Sequence, residues 1–253
     1  MTAIKNARPK KKTTAATFPV LILDHVWHVG SLENAPKNAR SSYEGHHLSV
    51  SWCPDAWTQI ARIGGNPTWF LTKTNTGQFL DVLELRKKQR TAIINWGIQN
   101  KFVAYEDRWQ VISGHDEDTE EDQLMICSSL EEAIDNSEDD EEYPPQKITH
   151  LIATSKLLHH VGCTTYHTDN GWGLLPMAWA EAVGLDGVWW CETYDPDRLS
   201  APRGCIFQSR LNEWSQTQIT GEENDDQLSG FPKAHKIQIE HKPKNRRPLR
   251  VLS

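Results

Sequence analysis

The sequence predicts an α+β domain of two small packed β-sheets with flanking helices, spanning about residues 18–215 of the 253. Three observations predict it. Short runs dense in β-branched and apolar residues, of which 18–29 is the strongest, recur between turn-forming residues. Stretches with helical apolar spacing alternate with them, as at Ala56, Trp57, Ile60 and Ala61. The 11 tryptophans lie mostly within apolar runs, where they supply core volume and pocket walls.

Each element follows in order. Residues 1–17 carry Lys5, Arg8, Lys10, Lys11 and Lys12 and read as a disordered basic tail. The strand at 18–29 ends at Gly30 and Ser31, and Ser31 can cap a short helix. Residues 38–47 are polar and read as a loop; 47–52 alternates as a half-buried strand does. A helix over 54–63 stops at Gly64 and Gly65, and a strand follows at 68–72. The turn residues Asn75, Thr76 and Gly77 predict a hairpin that returns through 79–83. From 85 to 112 the spacing is helical.

An acidic insertion is expected at about 114–145, with one helix between Asp122 and Ile134. After a mixed stretch at 148–160, a helix covers 174–183, with Pro176 in its first turn and Gly184 past its end. Buried strands follow at 188–190 and 205–207. Residues 216–253 read as a mostly disordered basic tail with one candidate strand at 236–240.

The net charge of −7 conceals a division: residues 116–142 hold 14 acidic and no basic side chains, so the rest of the chain carries +7. Basic ends of this kind either contact nucleic acid or an acidic protein, or are simply solvated. Five cysteines (53, 127, 163, 191 and 205), odd in number and without CxxC spacing, fit a reducing cytoplasmic setting better than a disulfide framework. No apolar run approaches the roughly 20 residues that span a membrane. The paired histidines 46–47 and 159–160 should diverge, and no metal-ligand spacing is present, so no metal is expected. Phosphate-loop, dinucleotide-fold and hydrolase-elbow motifs are absent.

The chemistry-bearing residues fall in three segments. His28 closes the first strand before Gly30 and Ser31. Tyr43 precedes a strand containing Ser49, Ser51 and Trp52. Gly184, Leu185, Asp186, Gly187 and Val188 lead into a strand, then to Glu192, then to Arg203 in a Ser-Ala-Pro-Arg-Gly turn. Each also has a plain structural role available: an edge histidine, an ordinary strand–helix–strand unit, a solvated turn, or an Arg203 paired with Asp186 or Asp195.

Together the three segments resemble the ADP-ribosyltransferase fold of the His-Tyr-Glu or a divergent mono-ADP-ribosyltransferase type. The likeness covers about 20–85 and 174–210. It implies mono-ADP-ribosyl transfer from NAD, a substrate here, to a macromolecular acceptor, protein or nucleic acid. Glu192 and His28 would be the catalytic pair. Gly30, Ser31, Ser49 and Ser51 would support the ribose, Trp52 or Tyr43 would wall the nicotinamide, and Arg203 would meet the pyrophosphate. Trp190 stands where arginine-modifying members carry Gln or Glu, which implies a different acceptor. The alternative is a non-enzymatic binding module that uses the acidic insertion or the basic tails.

Overall fold

The computed structural model describes residues 17–32, 45–52, 66–116, 121–137, 144–163, 168–191, 203–219 and 246–250. The first apolar run forms β1 (Thr17–Val29), followed by β2 (Leu48–Val50) and β3 (Thr68–Asp81). Next come α1 (Lys87–Gln99), β4 (Val103–Asp116), β5 (Glu121–Cys127), α2 (Leu130–Asp135) and β6 (Gln146–Ala153). The described chain continues through α3 (Ser155–Val161), α4 (Gly171–Ala182), β7 (Gly187–Cys191) and β8 (Arg203–Ile206). A 3-10 turn over Gln208–Glu213, then β9 (Ser215–Ile219) and β10 (Arg246–Arg250), follow.

The larger sheet has the order β10-β1-β3-β7-β8-β2, with β9 beside the first half of β3. A bridge between Trp27 and Ser51 brings β2 back to β1, so β1, β3, β7, β8 and β2 close a ring. Within the ring, β3 and β7 run parallel. Alternation along the strands fills both sides. Leu21, Leu23, Val26, Phe79, Trp189 and Ile206 pack inside the ring, while Phe18, Val20, Leu80, Val188 and Cys205 face the helices. The second sheet is the antiparallel trio β5-β4-β6. Between the sheets lies α4, which touches β6 on one side and β3 and β7 on the other, with α1 and α3 beside it. Its continuous buried run from Leu174 to Ala180 is what a helix enclosed on all sides requires.

The residues from Gly184 to Gly187 each have a structural cause. The Gly184 N–H donates to the Glu181 carbonyl and the Leu185 N–H to the Ala180 carbonyl, which closes α4 in the paired pattern of a Schellman end. Gly184 has φ of +81°, a backbone state that glycine enters without strain. Gly187 lets β8 approach, because a Cβ there would lie 1.8 Å from the Cys205 carbonyl oxygen. Backbone in a ladder cannot yield as a side-chain tip can. Gly187→Ala is therefore expected to lower stability by about 3 kcal/mol, the upper part of the overpacking range, read from a urea midpoint.

Several expectations are corrected. Asn75, Thr76 and Gly77 are not a hairpin turn: they lie in β3, which continues through them. The ladder runs from Leu23↔Gly77 to His25↔Thr72, so Asp24 alone faces residues 73–76 and β3 bulges outward there. Residues 103–112 are strand, not helix, because they form the centre of a sheet and pair with β6 on one side and β5 on the other. The acidic stretch is not chiefly helical either. It contributes β5 and only the short α2. Pro176 stands inside α4, which begins at Gly171 under an Asn170 cap. The fold also passes residue 215: β9 runs to Ile219, and β10 pairs with β1, Thr17 opposite Arg250. The helix expected at 54–63 and the strand expected at 236–240 lie outside the described residues. No helix among the described residues is long and apolar enough to cross a membrane.

Candidate functional site

His28 sits where β1 meets β2. Its Nδ1 is 2.7 Å from the Ser49 carbonyl oxygen and its Nε2 is 3.1 Å from that of Ser31. A neutral ring donates to one of these carbonyls; only the imidazolium donates to both. Burial pushes the imidazole below its ordinary value of 6.5, against the pull of the two carbonyls. His28 therefore lies between two backbone carbonyls, and its neutral ring donates to one of them, tying the end of β1 either to β2 or to the turn after β1. Gly30 is equally occupied: its N–H donates to Pro67 and its carbonyl accepts from Trp69 Nε1 at 2.9 Å.

The other expected residues divide. Ser31 is exposed and Ser49 half-buried, both against His28. Ser51 is buried and exchanges backbone hydrogen bonds with Trp27 at 2.7 and 2.8 Å. Trp52 stacks on Trp189 inside the ring, with centroids 4.5 Å apart and planes 15° from parallel. Tyr43 and Glu192 lie outside the described residues. The positions flanking residues 192–202, Cys191 and Arg203, face each other across β7 and β8.

A cavity of about 280 Å3 opens on the other face of β7 from Trp189. Val188 and Trp190 form one wall, Trp172 and Pro176 of α4 another, and Val82 and Arg203 complete it. Of the described residues expected from sequence to bind NAD, Arg203 alone lines this space. Pro176 has no N–H for the Trp172 carbonyl, so α4 lacks one of its own hydrogen bonds beside the cavity.

Two clusters were missed in the sequence. Asp186 does not pair with Arg203. One of its oxygens meets Lys73 Nζ and the other accepts the Gln78 N–H at 2.8 Å. Lys73 also reaches Glu213 at 2.7 Å, and Arg210 holds Glu213 at 2.9 Å. Burial works against the Lys73 ammonium, but Asp186 and Glu213 outweigh it and raise its pKa. The bulge in β3 presents Lys73 to this network.

The second cluster is histidine-rich. The His46 and His47 rings do not diverge: they meet edge to face at 4.4 Å, and His160 Nε2 lies 3.1 Å from a Glu181 carboxylate oxygen without hydrogen-bond geometry. His47 is 4% exposed and packs on Phe207, and neither of its nitrogens has a hydrogen-bond partner among the described residues. Among those residues, no group of three His, Cys, Asp or Glu side chains is placed to hold a metal ion.

No protein-family model matches the chain, and searches of curated proteins and of solved structures find no match either.

Proposed function

We propose that this chain transfers the ADP-ribosyl unit of NAD to a macromolecular acceptor. One observation carries the proposal: three segments far apart in sequence converge on one ring. His28 is bonded to Ser49, and Trp52 is stacked on Trp189, three residues before Glu192. That convergence is what a site shared by these strands requires. In the reaction, the bond between nicotinamide nitrogen and ribose C1′ breaks, nicotinamide leaves with the bonding pair, and an acceptor nucleophile takes C1′. Positive charge develops on the ribose, so the Glu192 carboxylate stabilises the transition state while holding the 2′-hydroxyl. His28 then acts chiefly by positioning. The Ser31 carbonyl, at the longer of its two contacts, is the partner that a ribose hydroxyl would replace.

The test is nicotinamide release from NAD by the purified chain, with lysate as acceptor source. Glu192→Gln should lower the rate on the order of 10²–10³-fold, the effect of removing a preorganised electrostatic stabiliser. Equal rates in wild type and variant would sink the proposal.

A second reading is a binding module. Leu124, Met125, Leu130 and Ile134 are exposed within the acidic stretch, and β5 is a sheet edge. Apolar side chains set among carboxylates suit a basic protein partner. Salt-sensitive protein capture, with no rise in melting temperature on adding NAD, would favour this reading.

A further inference from the structure

We infer that the cavity between α4 and the β7–β8 pair is a binding site for a nucleoside 5′-phosphate, with the base against tryptophan and the phosphate on Arg203. The inference deepens the transfer proposal and rests on it for its source, since each half of NAD is such a unit. Its chemistry comes from the cavity itself.

The volume of about 280 Å3 lies just under the range of about 300–1,000 Å3 common for small-molecule sites, which suits one nucleotide rather than a whole dinucleotide. Trp172 and Trp190 are each only half-buried, so both keep surface for the cavity instead of giving all of it to the core. Any base has a π-face, so aromatic walls accept it by stacking. Val82, Val188 and Pro176 make the remaining surface apolar.

Trp190 shares the cavity face with Val188, two positions earlier, as strand alternation requires. The ladder passes from Trp189↔Gly204 to Cys191↔Arg203, so Trp190 is an extra residue with no partner position on β8. Such bulges recur beside active sites.

The phosphate is assigned to Arg203 because a planar guanidinium matches two phosphate oxygens at once. At the start of α4 the Gly173 N–H is taken by the Asn170 cap at 3.1 Å. Arg90 lies over the Trp172 ring, 5.6 Å from its centroid, and adds a second positive charge beside that wall.

Calorimetric titration of the full chain tests this with adenosine, AMP, nicotinamide mononucleotide, NAD and a short single-stranded oligonucleotide. AMP should bind. Arg203→Gln should weaken AMP at least tenfold and leave adenosine unchanged. Trp190→Leu should weaken both. Thermal midpoints of the variants check that the fold survives, and the half-buried position of Arg203 at the start of β8 keeps that arm readable if Trp190→Leu does not fold.

Competition identifies the source: displacement of AMP by NAD points to the dinucleotide, and displacement by the oligonucleotide alone points to a nucleic-acid acceptor. Absence of nucleotide binding, or binding indifferent to both substitutions, overturns the inference even if Glu192-dependent nicotinamide release is found. Cavity-dependent AMP binding without nicotinamide release would instead sink the transfer proposal and leave this site standing.

Discussion

Acidification is expected to destabilise this protein through His47. Burial, with smaller contributions from His46 and His160, lowers its pKa from 6.5 to about 3. In the unfolded chain the same imidazole takes a proton near 6.5. The unfolded state therefore binds more protons than the folded one throughout the interval between these values. Stability is full above pH 6.5 and falls by about 1.4 kcal/mol per pH unit below it, approaching a loss of about 5 kcal/mol near pH 3. A loss of that size is comparable to the whole stability of many domains, about 5–15 kcal/mol. Carboxylates add an acid slope of their own, so a difference measurement isolates the histidine. His47→Phe keeps a ring against Phe207 and removes the titration. Urea midpoints from pH 7 to pH 4 should show the variant losing less stability than wild type at each step. Parallel curves would rule out this role for His47.

Asp186→Ala should be the most damaging substitution in the charged network. Asp186 is 5% exposed and serves two donors. Removing its carboxylate leaves Lys73 with only Glu213, whose side chain is 39% exposed, and leaves the Gln78 N–H without its acceptor. Breaking one member of a buried pair costs about 3–5 kcal/mol, because the remaining charge has been taken out of water. Asp186→Asn keeps an acceptor for Gln78 and should cost less. The double variant Lys73→Met with Asp186→Leu removes both charges and should recover part of the loss, a coupling that a double-mutant cycle reads directly. A cost for Asp186→Ala below that of an ordinary surface substitution would show that the network contributes little.

The ring strands were legible because their patterns are strong and local. The apolar density of 18–29 and the alternation at 47–52 are preserved in β1 and β2. The end of α4 was legible through Gly184, whose αL backbone is a local requirement. What could not be read depends on distant partners. The helical spacing of Ile93, Ile94 and Trp96 gives way at Val103, Trp109 and Val111 to the even spacing of a strand, and pairing with β5 and β6 holds that strand. Asn75, Thr76 and Gly77 look like a hairpin turn, yet Asp186, 110 residues after Thr76, fills the bulge that they form. Trp52 reads as an available aromatic until Trp189 is placed beside it. Among the described residues expected from sequence to bind, the cavity takes in only Arg203, since its remaining walls meet only when α4 packs on β7.

The closed ring has a consequence for how the chain is made. β1 finds β3 within the first 81 residues, but β7 and β8, which complete the circuit, end at residue 206. At translation rates of about 5–20 residues per second, an apolar hairpin waits on the order of ten seconds for the strands that will cover it. During that interval its outer edges are open to other chains, and refolding from denaturant must likewise close long loops before contacts reward them. This protein should therefore fold slowly for its size, and its yield on expression should respond more to synthesis temperature and chaperone supply than its final stability would suggest.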